Sequence, residues 1–526
     1  MSGHALTVLD FHLALEQVAG RATSHAGREA VLLLRPSTDL EWVQRELTRV
    51  SETQTFLDTR PTWSVPEIPD CIELFERLAV EGSVLDGAEL YRVGVSLGSG
   101  GQLAEALDVE AVESLAFIQD RLYSDSELEA RIAKTTDASG EILDSASADL
   151  RRIRKQLRGA RNRIVRKLEV FAADLPERVR VADASVGIRD GRYVVPVRRE
   201  GKRDVGGIVH DESHTGATLF VEPPMAIELT NELRSLEQEE VREIHRILVE
   251  ITGVLRPLHP SLTASWEALV DFDGLAARAK AAADWDAYPP DLTPEAEGWS
   301  IVQGRHPLLL ENSETPVVPF DLSMEPGERI LVVSGPNTGG KSVFLKAVGL
   351  IASLTQSGVV PPVGEGTRLP IFDSIFADIG DEQSIAESLS TFSAHLAIWK
   401  GVVEGAGRGS LVLLDEMGTG TDPAEGAALS RALIEHLSDR GATAVVTSHL
   451  GALKCLDTEG RGVVNASLQF DPDGMRPTYE LVKGRPGRSY GLATAHRLGI
   501  PAPVLERAEA LLAGGDASMD DLLERL

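Results

Sequence analysis

The sequence predicts a multidomain chain: an α-helical core bearing a long antiparallel coiled-coil arm with a small β tip, followed by an α/β domain built around a phosphate-binding loop. Three observations carry that prediction. Two long stretches with apolar residues at steps of three and four flank a short stretch whose period changes to two. From residue 301 to about 512 apolar strands alternate with helical patterns, the signature of a parallel sheet covered on both faces. Within that region Ile330, Leu331, Val332 and Val333 lead into GPNTGGKS at 335–342, and Val343, Phe344 and Leu345 lead out.

Composition sets the frame for these elements. A chain of 526 residues with 43% hydrophobic content has room for two or more domains. Cys71 and Cys455 lie far apart and form neither a disulfide framework nor a metal-ligand spacing, which suits a reducing cytosol. The N-terminus is polar and broken by Asp10 and His12, and no apolar run reaches membrane-spanning length. A cytoplasmic protein with no membrane partner is expected. The net charge of −29 is uneven: residues 150–204 carry 17 Lys and Arg against 7 Asp and Glu, and the remainder carries 35 against 74. One basic segment on an acidic body points to local attraction to phosphate backbones.

In chain order, residues 1–115 read as a helical core. Leu9, Phe11, Leu13, Leu15 and Val18 open an apolar face, and Pro36, Ser37, Thr38 and Asp39 supply turn and N-cap signals before a helix over 40–56. Gly98, Gly100 and Gly101 are expected to break the helices that follow. Residues 116–260 read as the arm. A helical pattern over about 122–171 carries Leu150, Ile153, Leu157, Ala160, Ile164, Leu168 and Phe171 as a coiled-coil seam. A β tip follows at about 178–222, with Tyr193, Val195, Val197, Thr218 and Phe220 in alternation. Ala226, Leu229, Leu233, Leu236, Val241, Ile244, Leu248 and Ile251 mark the returning helix. Residues 261–299 complete that return and add an acidic linker containing Pro289, Pro290 and Pro294. The α/β domain covers 300–513, and 514–526 begins another helical seam.

Arg151, Arg154, Lys155, Arg158, Arg161, Arg163 and Arg166 crowd the outgoing helix, and Arg198, Arg199, Lys202 and Arg203 crowd the tip. Few acids are interleaved, so these are the candidate nucleic-acid contacts, suited to holding a backbone without reading its sequence. The plain alternative is the solvated face of a coiled coil.

The glycine-rich stretch needs its residue types. Glycines let backbone N–H groups turn inward toward an anion, and a helix opening at Lys341 adds its positive end. Lys341 can reach the β- and γ-phosphates, and the Ser342 hydroxyl can ligate Mg²⁺. Gly335, Pro336, Asn337, Thr338, Gly339, Gly340, Lys341, Ser342 and Val343 are the candidate nucleotide-binding residues. A second apolar run, Leu411, Val412, Leu413 and Leu414, delivers Asp415 and Glu416 at its end. Asp415 would hold Mg²⁺ together with Ser342, and Glu416 would orient and deprotonate an attacking water. A third run ends at Thr447, Ser448 and His449, where His449 could sense the γ-phosphate or serve structure alone.

GPNTGGKSV (335–343), SLSTFSAHL (388–396), LLDEMGTGTDPAEGAAL (413–429), VTSHL (446–450), GRHPLL (304–309) and SYGLATAHRLGIP (489–501) resemble, in order and spacing, the MutS family of DNA-mismatch ATPases. The helical module and arm resemble that family's core, lever and clamp. The resemblance implies an ABC-like P-loop ATPase that uses ATP/ADP and Mg²⁺ and works as a homodimer with nucleotide between subunits. It also implies that Ser390 meets the γ-phosphate in trans, from the helix opened by Ser390 and Thr391. Tyr479 is similarly implied to stack on the adenine, with core packing as its alternative.

The helical core begins within the first ten residues, without the family's mismatch-reading and connector domains, so the chain is similar to the second bacterial paralogue of the family. That branch implies suppression of homologous recombination on branched DNA, or sensing and splitting of stalled, collided ribosomes, with DNA or ribosomal RNA as partner. The family usually continues into a small MutS-related nuclease domain. Here Met519, Leu522, Leu523 and Leu526 start a seam that stops, so a truncated chain without nuclease activity is expected. Two rivals stand beside this reading. A chromosome-organising or break-repair ABC ATPase would carry an LSGGQ-type signature and longer arms, some with a CxxC hook, where this chain reads LSTFS and has no CxxC. A non-catalytic scaffold would use nucleotide only to fix the dimer, and steady-state phosphate release separates it.

Overall fold

Short polar side chains start the helices. Asp39 accepts the Trp42 N–H at 3.1 Å, Asp125 that of Leu128 at 2.9 Å and Ser147 that of Leu150 at 2.9 Å. Asp86 and Glu89 form a reciprocal capping box. Each cap satisfies a donor that the first helical turn leaves unpaired. The computed structural model describes residues 3–107, 112–182, 185–312, 316–335, 340–380, 391–450, 453, 456, 461–471, 476–485, 495–496 and 499–514. Helix and sheet are mixed, with several sheets, and the chain divides into two compact units.

One unit comprises Pro66–Leu107 and Asp120–Leu269. Its helix Gly87–Ala106 runs through Gly98, Gly100 and Gly101, which were expected to end helices. The reason is close packing: a Cβ on Gly94 would lie 2.7 Å from Ile132 Cγ2, and one on Gly98 2.8 Å from Glu129 Oε1. The pattern expected to run unbroken over 122–171 is instead two helices, Ser126–Thr135 and Ala148–Asp174. Between them Asp137 Oδ1 takes the N–H groups of Ser139 and Glu141, and Gly140 supplies a left-handed φ of 81°. Asx capture of this kind competes with helix.

Ala148–Asp174 buries Leu150, Ile153, Leu157, Ala160, Ile164 and Leu168 of the expected seam, leaves Phe171 half-buried, and packs beside the helix Pro224–Leu255. Arg163 pairs with Glu232, Arg161 with Glu237 and Arg154 with Glu240, so the two helices run antiparallel. Between them, β1 (Gly187–Arg189), β2 (Arg192–Arg198), β3 (Ile208–Glu212) and β4 (Thr218–Glu222) form an antiparallel sheet in the order β1-β2-β4-β3. Its Val195, Val197, Leu219 and Val221 share a core with Leu157, Ile164 and Leu233 of the helices.

The other unit comprises Met1–Val65, Asp108–Gln119 and Val270–Leu526. It carries β5 (Asp291–Leu292), β6 (Trp299–Gly304), β7 (Phe320–Met324), β8 (Ile330–Ser334), β9 (Arg368–Leu369), β10 (Ser374–Asp378), β11 (Ser410–Leu414), β12 (Thr443–Thr447), β13 (Val463–Asp471) and β14 (Arg476–Lys483). Among the described residues the sheet β10-β11-β12-β8-β13-β14 is parallel except for its last pair, an antiparallel hairpin. A smaller mixed sheet, β5-β9-β6-β7, shares no ladder with it among those residues, although Lys483 of β14 donates to the Ser323 carbonyl of β7 at 2.8 Å. The expected parallel sheet is thus present, with an antiparallel hairpin at its edge and a second, mixed sheet that the sequence reading did not separate. Strands β8, β11 and β12 are buried from end to end, which is why they read as unbroken apolar runs.

The helices Thr391–Gly405 and Pro423–Asp439 cover one face, through Trp399, Val402, Leu433 and Leu437. Lys341–Gln356 covers the other, and Leu9 joins it there: a Cβ on Gly349 would lie 2.5 Å from Leu9 Cδ2 and 2.7 Å from Leu413 Cδ1. The N-terminal residues therefore belong to this core, and Lys346 Nζ fixes them with a 2.6 Å bond to Asp10. Residues 284–297 are held as well. Trp285 is buried, Tyr288 N–H reaches Val363, β5 pairs with β9, and Glu295 meets Arg329 and Thr443. No helix among the described residues is long and apolar enough to cross a membrane.

Candidate nucleotide site and basic helix face

Parallel strands deliver their C-terminal ends to one edge of a sheet, and β8, β12 and β11 deliver Gly335, Thr447 with Ser448, and Asp415 with Glu416. The helix Lys341–Gln356 opens behind Gly340, whose φ of 82° is left-handed and which, as glycine, has no side chain to cap the first turn. A Cβ at Gly340 would sit 3.0 Å from the ring of Tyr479, so glycine serves both conformation and space there. Lys341 is 2% exposed, and its Nζ donates to the Gly335 carbonyl at 2.7 Å. Burial holds its pKa below the ordinary lysine value, with Glu416 and Asp415 as the negative charges acting against that shift. Lys341 and the two acids thus converge at this edge.

Asp415 is buried, and its N–H donates to the Asp378 carbonyl of β10 at 2.8 Å. Thr447, wholly buried at the end of β12, donates from Oγ1 to Asp415 Oδ1 and accepts the Glu416 N–H at 2.8 Å. Glu416 adopts a left-handed φ of 46°, strained for a non-glycine residue, and its carbonyl accepts from Thr419 Oγ1 at 2.9 Å. Sequence reasoning grouped Thr447 with Ser448 and His449 but assigned a role only to His449. The missed signal is its position: it ends the strand that lies between the two motif-bearing strands.

Of the expected residues, Gly335, Gly340, Lys341, Asp415 and Glu416 gather at the sheet edge, and Ser342 and Val343 follow in the first helical turn. Ser448 ties the loops together, donating to Met417 at 3.2 Å, and His449 beyond it is exposed. Tyr479, in β14, is half exposed and lies against Gly340. Pro336, Asn337, Thr338, Gly339 and Ser390 lie outside the described residues, as do Met519, Leu522, Leu523 and Leu526.

The donor set suits magnesium with a triphosphate. The expected ligands are one hydroxyl, Ser342 in the first turn of the helix, and one carboxylate, Asp415 at the end of β11. Mg²⁺ takes such a sparse protein set and completes its octahedron with water and phosphate oxygens. The helix start and the buried lysine supply the matching positive potential.

The basic segment divides in two. Arg154, Arg158, Arg161, Arg163 and Arg199 are ion-paired, with Glu240 and Asp144, Asp144, Glu237, Glu232 and Glu212 respectively. Acids missing from the outgoing helix are thus supplied largely by the returning one. Arg151, Lys155 and Arg166, spaced by four and eleven on the face opposite the buried seam, are exposed and ion-paired with none of the described residues; so are Arg198, Lys202 and Arg203.

The MutS domain V family model matches residues 331–514, the stretch that carries this sheet edge. The chain is 46% identical over 528 residues to a protein named Endonuclease MutS2 from Gemmatimonas aurantiaca, covering 99% of this chain and 64% of that relative. It is 41% identical to the Endonuclease MutS2 of Pelotomaculum thermopropionicum, with 100% and 66% covered, and 38% identical to that of Geobacillus thermodenitrificans, with 100% and 67% covered. The chain belongs to the MutS family, as a MutS2-like member. It spans about two thirds of the length of these MutS2 relatives. The similarity runs through the antiparallel helix pair as well as the sheet edge, since 99% to 100% of the chain is aligned.

Proposed function

We propose that this MutS2-like chain is a Mg²⁺-dependent P-loop ATPase that works as a homodimeric clamp on branched DNA or on stalled, collided ribosomes. The observation that carries the reading is the burial of Lys341 beside Asp415 and Glu416 at one sheet edge. Burying a lysine costs desolvation, and a triphosphate at this edge would offset that cost alongside the Gly335 carbonyl and the two acids.

In this reading Lys341 balances charge on the β- and γ-phosphates, and Ser342 and Asp415 hold the metal. When bound, Mg²⁺ would draw charge from the phosphate oxygens. Glu416 takes a proton from the water that attacks the γ-phosphorus, and the bond to the ADP oxygen breaks as the new P–O bond forms. Ser390 completes the site from a second copy, a donor worth about 3 kcal/mol if it acts like an oxyanion-hole group. His449 senses the γ-phosphate and Tyr479 stacks on the base. Nucleotide state then moves the antiparallel helix pair and its tip, the coiled-coil arm of the clamp, whose unpaired Arg and Lys residues hold phosphate backbones.

Phosphate release with Mg²⁺ and ATP tests the enzyme. Glu416→Ala should bind ATP, stop hydrolysis and accumulate as a dimer in sedimentation. What it carries from cells, DNA fragments or ribosomal RNA, tells the two targets apart. Normal turnover by Glu416→Ala would remove the assigned base, and absence of turnover by the unaltered chain with either ligand would favour the scaffold reading.

A further inference from the structure

One buried carboxylate at this sheet edge is unused by the mechanism. Asp378 closes β10, is 4% exposed, and accepts from His395 Nδ1 at 2.9 Å and from Trp399 Nε1 at 3.1 Å. The tautomer of His395 with its proton on Nδ1 donates to this carboxylate. His395 and Trp399 are one turn apart on the helix Thr391–Gly405, so two donors from one helical face grip one side chain. The main chain of Asp378 is engaged as well. Its carbonyl accepts the Asp415 N–H at 2.8 Å, and β10 and β11 are paired up to Asp378 and Leu414.

Packing alone does not require this arrangement. The same helix already docks on the sheet through Trp399 and Val402 in an apolar cluster. A buried carboxylate costs desolvation that a leucine would not, and its return is a fixed geometry. What it fixes is the rotation and height of the helix start relative to the strand end that presents Asp415 and Glu416.

We infer that Asp378, with His395 and Trp399, is a positioning device that couples the two half-sites within one subunit. Resting on the composite-site reading above, it ties the acids that serve a subunit's own nucleotide to the helix start, adjoining Ser390 in sequence, that serves the nucleotide of a second copy. Neither His395 nor Asp378 touches the reacting atoms. Loss of the grip leaves nucleotide binding by a single subunit intact and weakens assembly of the two-subunit site.

The test uses Glu416→Ala as parent, with ATP-dependent dimerisation followed by sedimentation and binding of a fluorescent ATP analogue followed separately. His395→Gln should reduce dimerisation at least tenfold while changing analogue affinity by less than twofold. His395→Asn should restore it, because the Asn amide nitrogen takes the place of Nδ1 whereas that of Gln does not. Trp399→Phe, which removes one N–H and keeps an aromatic ring, should give an intermediate loss. Equal dimerisation by parent, His395→Gln and Trp399→Phe overturns the inference alone. A parent that binds the analogue but never dimerises overturns the composite site and the inference with it. With Glu416 restored, His395→Gln should lower kcat and leave KM within twofold; a fall in melting temperature without that split would mean a purely structural contact and overturn it too.

Discussion

The Thr447 hydroxyl donates to the Asp415 carboxylate, and the same oxygen accepts the Glu416 N–H. One buried side chain on β12 therefore aims both acids that β11 presents. Thr447→Val keeps the shape and removes the hydroxyl. A lost hydrogen bond to a charged group is worth about 2 kcal/mol, so kcat should fall at least tenfold, with a higher Mg²⁺ requirement. Thr447→Ser should recover most of it in a phosphate-release assay. Unchanged kcat and Mg²⁺ dependence in the valine variant would mean that the bond is incidental.

Lys341 is buried at a desolvation cost that lowers its pKa. Lys341→Met should abolish phosphate release and weaken nucleotide binding, yet its melting temperature without nucleotide should be no lower than that of the parent. Calorimetry checks this, and a clear drop would show that the ammonium stabilises the fold instead of burdening it.

The unpaired face of the basic helix should carry the salt-dependent part of nucleic-acid binding. Replacing Arg151, Lys155 and Arg166 with Gln should reduce the slope of log affinity against log salt by about 1 per residue. Replacing Arg161 and Arg163, which face Glu237 and Glu232, should change the slope less, because their charge is already matched within the helix pair. Equal slopes from the two sets would refute the division.

His306 is buried, and burial, reinforced by the Lys346 charge and opposed by Asp10, lowers its pKa to about 4 from 6.5. A folded pKa below the unfolded one means that the unfolded chain takes up a proton first. Stability is therefore full above 6.5 and falls as pH drops toward 4, by up to about 3 kcal/mol. Urea unfolding at pH 7 and pH 4.5 should record the loss, and His306→Phe should flatten it. An unaltered pH slope in that variant would assign the loss to other groups.

Much of the site was legible because its chemistry is local. Gly335, Lys341, Asp415 and Glu416 each follow a fully buried parallel strand or open a helix, and such strands announce themselves as apolar runs. Thr447, Asp378 and His395 were legible only as residue types. Their roles depend on β12 lying between β11 and β8, and on one helix docking over β10. Glycine misled at 98, 100 and 101, where close helix packing overrode its weak helix propensity.

By itself the sequence determined most of the segments that are helix or strand, which glycine-rich motif follows a buried strand and opens a helix, and where basic charge concentrates, because periodicity, glycine spacing and charge are properties of neighbours along a chain. Only the tertiary structure decided which charges remain unpaired among the described residues, that Leu9 and Asp10 pack against the helix Lys341–Gln356, and that a single threonine aims both acids. Those depend on contacts between residues far apart in sequence, such as Arg163 with Glu232 or Lys346 with Asp10, and burial and pairing are set by such contacts.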